Sequence, residues 1–250
     1  MSCLAIDVGN TSTALAVVRG ARVSYVHHIQ GGMRDAARVR AVLGGLRGAD
    51  ALDGAVLGSV VPAVNRDWIR MLKSELGLET LVVRHTLNLG VPVNYPAPET
   101  IGADRLANAS QAAARFGTPV IVADFGTALT FDVIVAEKGY VGGVIAPGLP
   151  LMNTYLAEKT ALLPLIDLRG RCQHVGRSTE SAMRIGARVG YRGMVREIVA
   201  YLEDRNGMRN TALCATGGYA RWALAGIDLP FTIAPNLTLR GLARIFALNR

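Results

Sequence analysis

Cysteine is scarce in this chain of 250 residues, occurring at Cys3, Cys172 and Cys214 only. An odd count without CxxC spacing supports neither a disulfide framework nor a zinc site, and it points to a reducing, cytoplasmic setting. Histidine is nearly as sparse, and His27, His28, His85 and His174 lack metal-ligand spacing, so each reads as a solvated or core-edge residue. Long apolar runs are missing too: the longest uncharged stretch, Gly139 to Ala157, is interrupted by Pro147, Pro150, Asn153 and several glycines. With Asp7 standing where a basic leader region would be, neither export nor membrane insertion is expected. GxxxxGK[ST] and GxGxxG do not occur, which removes the main support for P-loop and dinucleotide-binding readings.

What is present is apolar and basic. Half of the residues are hydrophobic in a chain of 26.5 kDa, enough for one large domain or two modest ones. The net charge of +8 comes from 27 basic residues, nearly all arginine. They are spread along the chain with no dense block interleaved with aromatics, so an arginine-rich composition explains them better than a nucleic-acid groove.

The chain alternates in a way that repeats. Leu4 to Val8, Thr13 to Val18 and Val23 to His28 read as an antiparallel meander of β-branched strands parted by turn residues. Asp35 to Leu46 and Val64 to Leu76 have helical spacing, with a buried strand expected at Ala55 to Val61 and a further strand at Leu81 to Val83. After a loop rich in proline and asparagine, Asn88 to Pro98, the alanines from Ala103 predict a strong helix. A second meander then follows at Val120 to Ala123, Ala128 to Val135 and Tyr140 to Ile145, with helices at Leu149 to Glu158 and Thr179 to Glu203. A late strand, Thr211 to Ala215, and a closing helix, Leu237 to Leu248, complete the pattern. The expected architecture is α/β, two related lobes spanning residues 1–117 and 118–250.

Each meander opens on the same device. Asp7-Val8-Gly9-Asn10-Thr11 and Asp124-Phe125-Gly126-Thr127 both put a carboxylate at the end of an apolar strand, then Gly and Thr in a tight turn. Such a turn offers backbone N–H groups and a hydroxyl to an anion, while the carboxylate can hold a cation or orient water. Singly, each is a turn built from good turn formers; as a pair in equivalent places, they suggest two jaws on the phosphates of a nucleotide such as ATP, with a cleft between lobes. Thr216-Gly217-Gly218 permits close approach of a flat ligand such as adenosine. Gly102-Ala103-Asp104-Arg105 opens a helix, where Asp104 could serve the helix dipole alone. Arg105 is unfavourable there, and an Asp-Arg pair behind a rigid loop suits a site that takes a hydroxyl proton and holds a carboxylate. Gly142 to Gly148 either packs tightly or lines a cleft. Ser178 or Thr179 caps the long helix, with a substrate hydrogen bond from Thr179 as a second reading.

Taken in order and spacing, DVGNT, GADR, DFGTALTFD, GGVIAPG and TGG resemble the type III pantothenate kinases over nearly the whole chain, with GSVVP, TALLP and LTLRGLA adding to the likeness. The resemblance implies duplicated ribonuclease H-like (actin-like ATPase) domains with mixed sheets flanked by helices. It also implies a cytoplasmic homodimer that phosphorylates pantothenate with ATP, Mg2+ and a monovalent cation, K+ or NH4+. By motif, Asp104 resembles the general base, and Tyr95, Gly102, Ala103, Asp104, Arg105 and Thr179 resemble the pantothenate contacts. Asp7, Val8, Gly9, Asn10, Thr11, Ser12, Thr13, Ala14 and Thr127 resemble the ATP grip, and Asp124 the cation ligand. The sequence departs from the family's pattern at Ala97-Pro98, where Asn-Pro is frequent, and at Ser12-Thr13, where some members carry a basic residue. Two other classes share the implied fold: a regulatory relative without activity, which would be expected to lose the carboxylates, and a kinase or phosphohydrolase with another acceptor.

Overall fold

The computed structural model describes residues 1–46, 52–170 and 174–250, so Cys172 lies outside the described residues. They form two compact units: Met1–Arg115 with Asn236–Arg250, and Phe116–Pro235.

In the first unit, β1 (Ser2–Val8), β2 (Ser12–Arg19), β3 (Arg22–Gln30), β4 (Gly54–Ser59) and β5 (Thr80–Val82) form one mixed sheet in the order β3-β2-β1-β4-β5. The first three strands are antiparallel, and β4 and β5 run parallel to β1. Strand period sends Leu4, Ile6 and Val8 to one face, where they join Val39 and Leu43 of α1 (Ala36–Gly44) and Trp68, Met71 and Leu72 of α2 (Asn65–Leu76). Trp68 and Leu72 are fully buried, and each such side chain contributes about 1.5–3 kcal/mol by leaving water.

A further pair of helices completes this unit: α3 (Ala103–Phe116) and the closing helix, numbered α7 below in chain order (Leu237–Leu248). The sequence reading assigns the closing helix to the second lobe, but it packs on β1, β2 and β4 of the first unit. Two glycines make this possible. A Cβ at Gly241 would overlap the Ala107 carbonyl of α3, and one at Gly58 would come within 2.6 Å of Leu242. Thr238 Oγ1 then donates to Asn108 Oδ1 at 2.9 Å in the buried seam.

In the second unit, β6 (Val120–Phe125), β7 (Ala128–Val135), β8 (Gly139–Pro147), β9 (Ala212–Thr216) and β10 (Phe231–Ile233) take the order β10-β9-β6-β7-β8. Read outward from the central strand, this is the order of the first sheet again: two strands joined by antiparallel ladders on one side, two joined by parallel ladders on the other. Ile121, Ala123 and Phe125 pack against Tyr191, Val195 and Val199 of the long helix α5 (Thr179–Arg205), with α4 (Leu149–Lys159) and α6 (Ala220–Leu224) beside it. A turn through Glu137-Lys138-Gly139 joins β7 to β8, with Glu137 and Gly139 both left-handed.

Among the described residues no helix is long and apolar enough to cross a membrane. Cys3 and Cys214 are buried in the two sheets.

Candidate active site

Asp7 and Asp124 occupy the same register in their own sheets. Asp7 pairs with Ala14 across the antiparallel ladder and with Gly58 across the parallel one; Asp124 pairs with Thr130 and Thr216. Both carboxylates therefore stand near the C-terminal end of a central strand, flanked on both sides by backbone, and both are half-buried. The strand that the sequence reading ends at Ala123 continues to Phe125 because both neighbours still pair at Asp124 and β7 pairs at Phe125 as well.

In the first unit three motifs meet around the first turn. Gly9 N–H donates to the Ser12 carbonyl at 3.0 Å, closing the hairpin, and Asn10 and Thr11 are exposed at its tip. Val8 and Thr13 turn their side chains inward, so what they can offer a ligand is backbone. The loop after β4 is tied to this turn: Val60 N–H donates to the Val8 carbonyl at 3.0 Å, and Ser59 Oγ accepts the Val61 N–H at 3.1 Å. A Cβ on Gly102 would lie 3.2 Å from Val60 and would collide with the carboxylate of Asp104. The GSVVP loop, the start of α3 and the Asp7 hairpin are thus packed at one end of the sheet.

Asp104 lies in the first turn of α3, where Gly102 takes the first helical hydrogen bond, from Leu106 N–H at 3.1 Å. Its Oδ1 accepts the Arg105 N–H at 2.8 Å. Burial pushes its carboxyl above the usual aspartate value, against the Arg105 N–H and guanidinium, which pull the other way. Tyr95 is half-buried in the loop ahead of a 3-10 turn, Pro98–Thr100, that Thr100 closes by donating to the Ala97 carbonyl at 2.7 Å. The Ala97-Pro98 departure therefore still gives a defined turn.

In the second unit the turn Gly126-Thr127 is pressed from two sides. A Cβ at Gly148 would overlap the Thr127 carbonyl, and one at Gly217, whose φ is +93°, would lie 2.5 to 2.6 Å from the Phe125 backbone. Tyr219 N–H donates to the Phe125 carbonyl at 3.2 Å and fastens the TGG segment to the strand that carries Asp124. Thr127 is exposed. Asp132, the last residue of DFGTALTFD, is fully buried and accepts from Tyr140 at 3.2 Å, a structural bond between β7 and β8.

Thr179 is the first residue of α5 and is exposed. Ser178 is the cap: its hydroxyl accepts the Ser181 N–H at 3.2 Å while the Ser181 hydroxyl accepts the Ser178 N–H at 2.9 Å. The Thr179 hydroxyl is not spent on capping. Thr130 and Thr216, which lie inside the DFGTALTFD and TGG motifs, share the face of Asp124, a placement that only the pairing register reveals. Among the described residues no group of three His, Cys, Asp or Glu side chains could hold a metal ion.

A family model described as Type III pantothenate kinase matches residues 3–201. The chain is 46% identical over 215 residues to a type III pantothenate kinase of Akkermansia muciniphila, covering 85% of this chain and 84% of that protein. Among solved structures it is similar to a Baf family transcriptional activator from Campylobacter jejuni, with a TM-score of 0.62, 15% identity and coverage of 98% and 97%. The acetate kinase of Porphyromonas gingivalis aligns over 100% of both chains with a TM-score of 0.57 and 11% identity. At such identities the two structures speak to the fold alone, and that fold is the actin-like α/β one.

Proposed function

This chain belongs to the type III pantothenate kinase family, and from that premise we propose how its residues carry the reaction. The enzyme phosphorylates pantothenate with ATP, a step of coenzyme A biosynthesis. Asp104 is the general base for the pantothenate hydroxyl. Tyr95, Gly102, Ala103, Arg105 and Thr179 hold that substrate, with Arg105 facing its carboxylate. Asp7 to Ala14 and Thr127 grip the ATP phosphates, and Asp7 would hold the Mg2+ that accompanies ATP.

The environment of Asp104 carries this reading. A carboxyl raised above its ordinary value, and held by one backbone N–H in a rigid helix start, is a better proton acceptor than an exposed aspartate. Phosphoryl transfer needs positioning and charge neutralisation more than covalent help, and tight hairpins with inward glycines supply fixed N–H donors for both.

A monovalent cation, K+ or NH4+, fits Asp124. The carboxylate shares its face with Thr130 and Thr216, and hard oxygen donors of this kind suit such an ion. When bound it would supply positive charge near the phosphates. Asp124 itself is kept in place by two ladders.

The large apolar side chains exposed in the second unit, Leu151 and Tyr155 on α4 with Val189 and Tyr201 on α5, support a homodimer. The reaction assigns the enzyme to the cytoplasm.

The deciding experiment is ADP release from ATP with and without pantothenate, and with K+, NH4+ or neither. Pantothenate-dependent, cation-stimulated release is expected. Release that ignores pantothenate but follows another acceptor rejects the reading.

A further inference from the structure

The closing helix carries the LTLRGLA motif, which the reaction above leaves unused. Arg240 and Arg244 sit one turn apart on α7, and both line a cavity of about 480 Å³ in the first unit, against Gln111 and Ala114 of α3 and the turn after β2. That volume is in the range of small-ligand sites. No carboxylate occurs among the described residues that line it. Two like charges at this spacing oppose each other on a helix, so having both in the wall of one cavity is a cost unless an anion offsets it.

The two guanidinium groups are fixed in different ways. Arg240 donates to the Ala21 carbonyl at 2.7 Å, which ties α7 to the turn after β2. Arg244 lies over Gly90, whose missing Cβ leaves room 2.9 Å from the nearest guanidinium nitrogen. Its Nε is buried and has no hydrogen-bond partner among the described residues. That N–H is shielded from solvent, so what the two guanidinium forks can offer an oxyanion in the cavity is their terminal N–H groups. The small side chains Ala21, Ala114, Ala243 and Ala247 keep the walls back. Cys3 on the floor adds no competing negative charge, because burial holds it as a neutral thiol.

We propose that this cavity is an anion site for a small phosphate-bearing molecule, gripped by Arg240 and Arg244 and separate from the Asp104 and Asp124 motifs. A phosphate group suits it better than a monocarboxylate because it brings nearly two charges and three acceptor oxygens to two arginines.

The test is calorimetric titration of the whole protein with inorganic phosphate and, separately, with glycerol 3-phosphate. It is run under saturating ATP analogue so that the nucleotide site cannot contribute. Wild-type protein should bind one equivalent in the millimolar range or tighter, and Arg240→Gln/Arg244→Gln should weaken this by at least about tenfold. The double variant should keep its circular dichroism and its pantothenate-dependent ADP release in phosphate-free buffer. Arg244→Lys, which keeps the charge and loses the fork, should be intermediate. Binding of the ester but not of free phosphate identifies an organic phosphate as the occupant; binding of both identifies the phosphate group alone. Absence of binding by wild type, or equal binding by wild type and the double variant, overturns the proposal.

Discussion

Gly102 lies directly under the carboxylate it precedes: any Cβ there would collide with Asp104 Oδ1. The glycine sets the orientation of the proposed base. Gly102→Ala should push the carboxylate away, and displacements of about 1 Å can cost roughly a hundredfold in rate. Steady-state kinetics of this variant should show the loss mainly in kcat, with a thermal midpoint near that of the parent. Unchanged kcat would mean that the carboxylate does not act from where it stands.

Asp104→Asn separates activity from stability. General-base help is worth about a hundredfold to ten-thousandfold, so kcat should fall by that order while ATP binding persists. The folded carboxyl titrates above its unfolded value because of burial, so the native state holds the proton more tightly. Stability is therefore greatest below the unfolded value, falls as pH rises through the folded value, and stays reduced above it. Asparagine removes that cost, and at neutral pH the variant should be as stable as the parent or more so by denaturant titration. In the parent, kcat/KM should rise with pH through a value above that of ordinary aspartate and then level off.

Asp124→Asn should leave pantothenate binding alone and change the response to K+. The half-saturating K+ concentration should rise by about 10- to 100-fold, the range typical when a metal site loses an anchoring group. An identical K+ dependence in variant and parent would assign the carboxylate a role in the hairpin only.

Gly217→Ala should damage the second unit in two ways. The residue is left-handed and its Cβ would press on the Phe125 backbone, so a cost of about 1–3 kcal/mol is expected from strain, plus displacement of the strand end that bears Asp124. Gly218→Ala, where a Cβ meets nothing, is the control. Chemical denaturation and nucleotide affinity measured side by side on the two variants would check this; equal behaviour would count against the tight approach.

Much of this molecule is legible in its sequence. The closing helix ends where its apolar spacing does, at Leu237 and Leu248, and the paired Asp-x-Gly hairpins announce that one sheet plan is used twice. Elements too short to express a period, α6 and the three-residue β10, are not readable. Pairing is a second limit. Nothing local to Asp124 says that Thr216 will lie beside it, because the parallel partner arrives only after the long helix. The same holds for Gly148 and Gly217, which look like ordinary turn glycines until the backbone each touches is known. Motifs thus reveal which residues matter, while their mutual support is a property of the folded chain.

The placement of α7 also orders the birth of the molecule. Residues 116–235 form an uninterrupted unit that can close on itself as soon as it leaves the ribosome, whereas β1, β2 and β4 must wait with one face uncovered until the last helix has been made. The half synthesised first is finished last, and during that interval Cys3 and Ala5 have no lid.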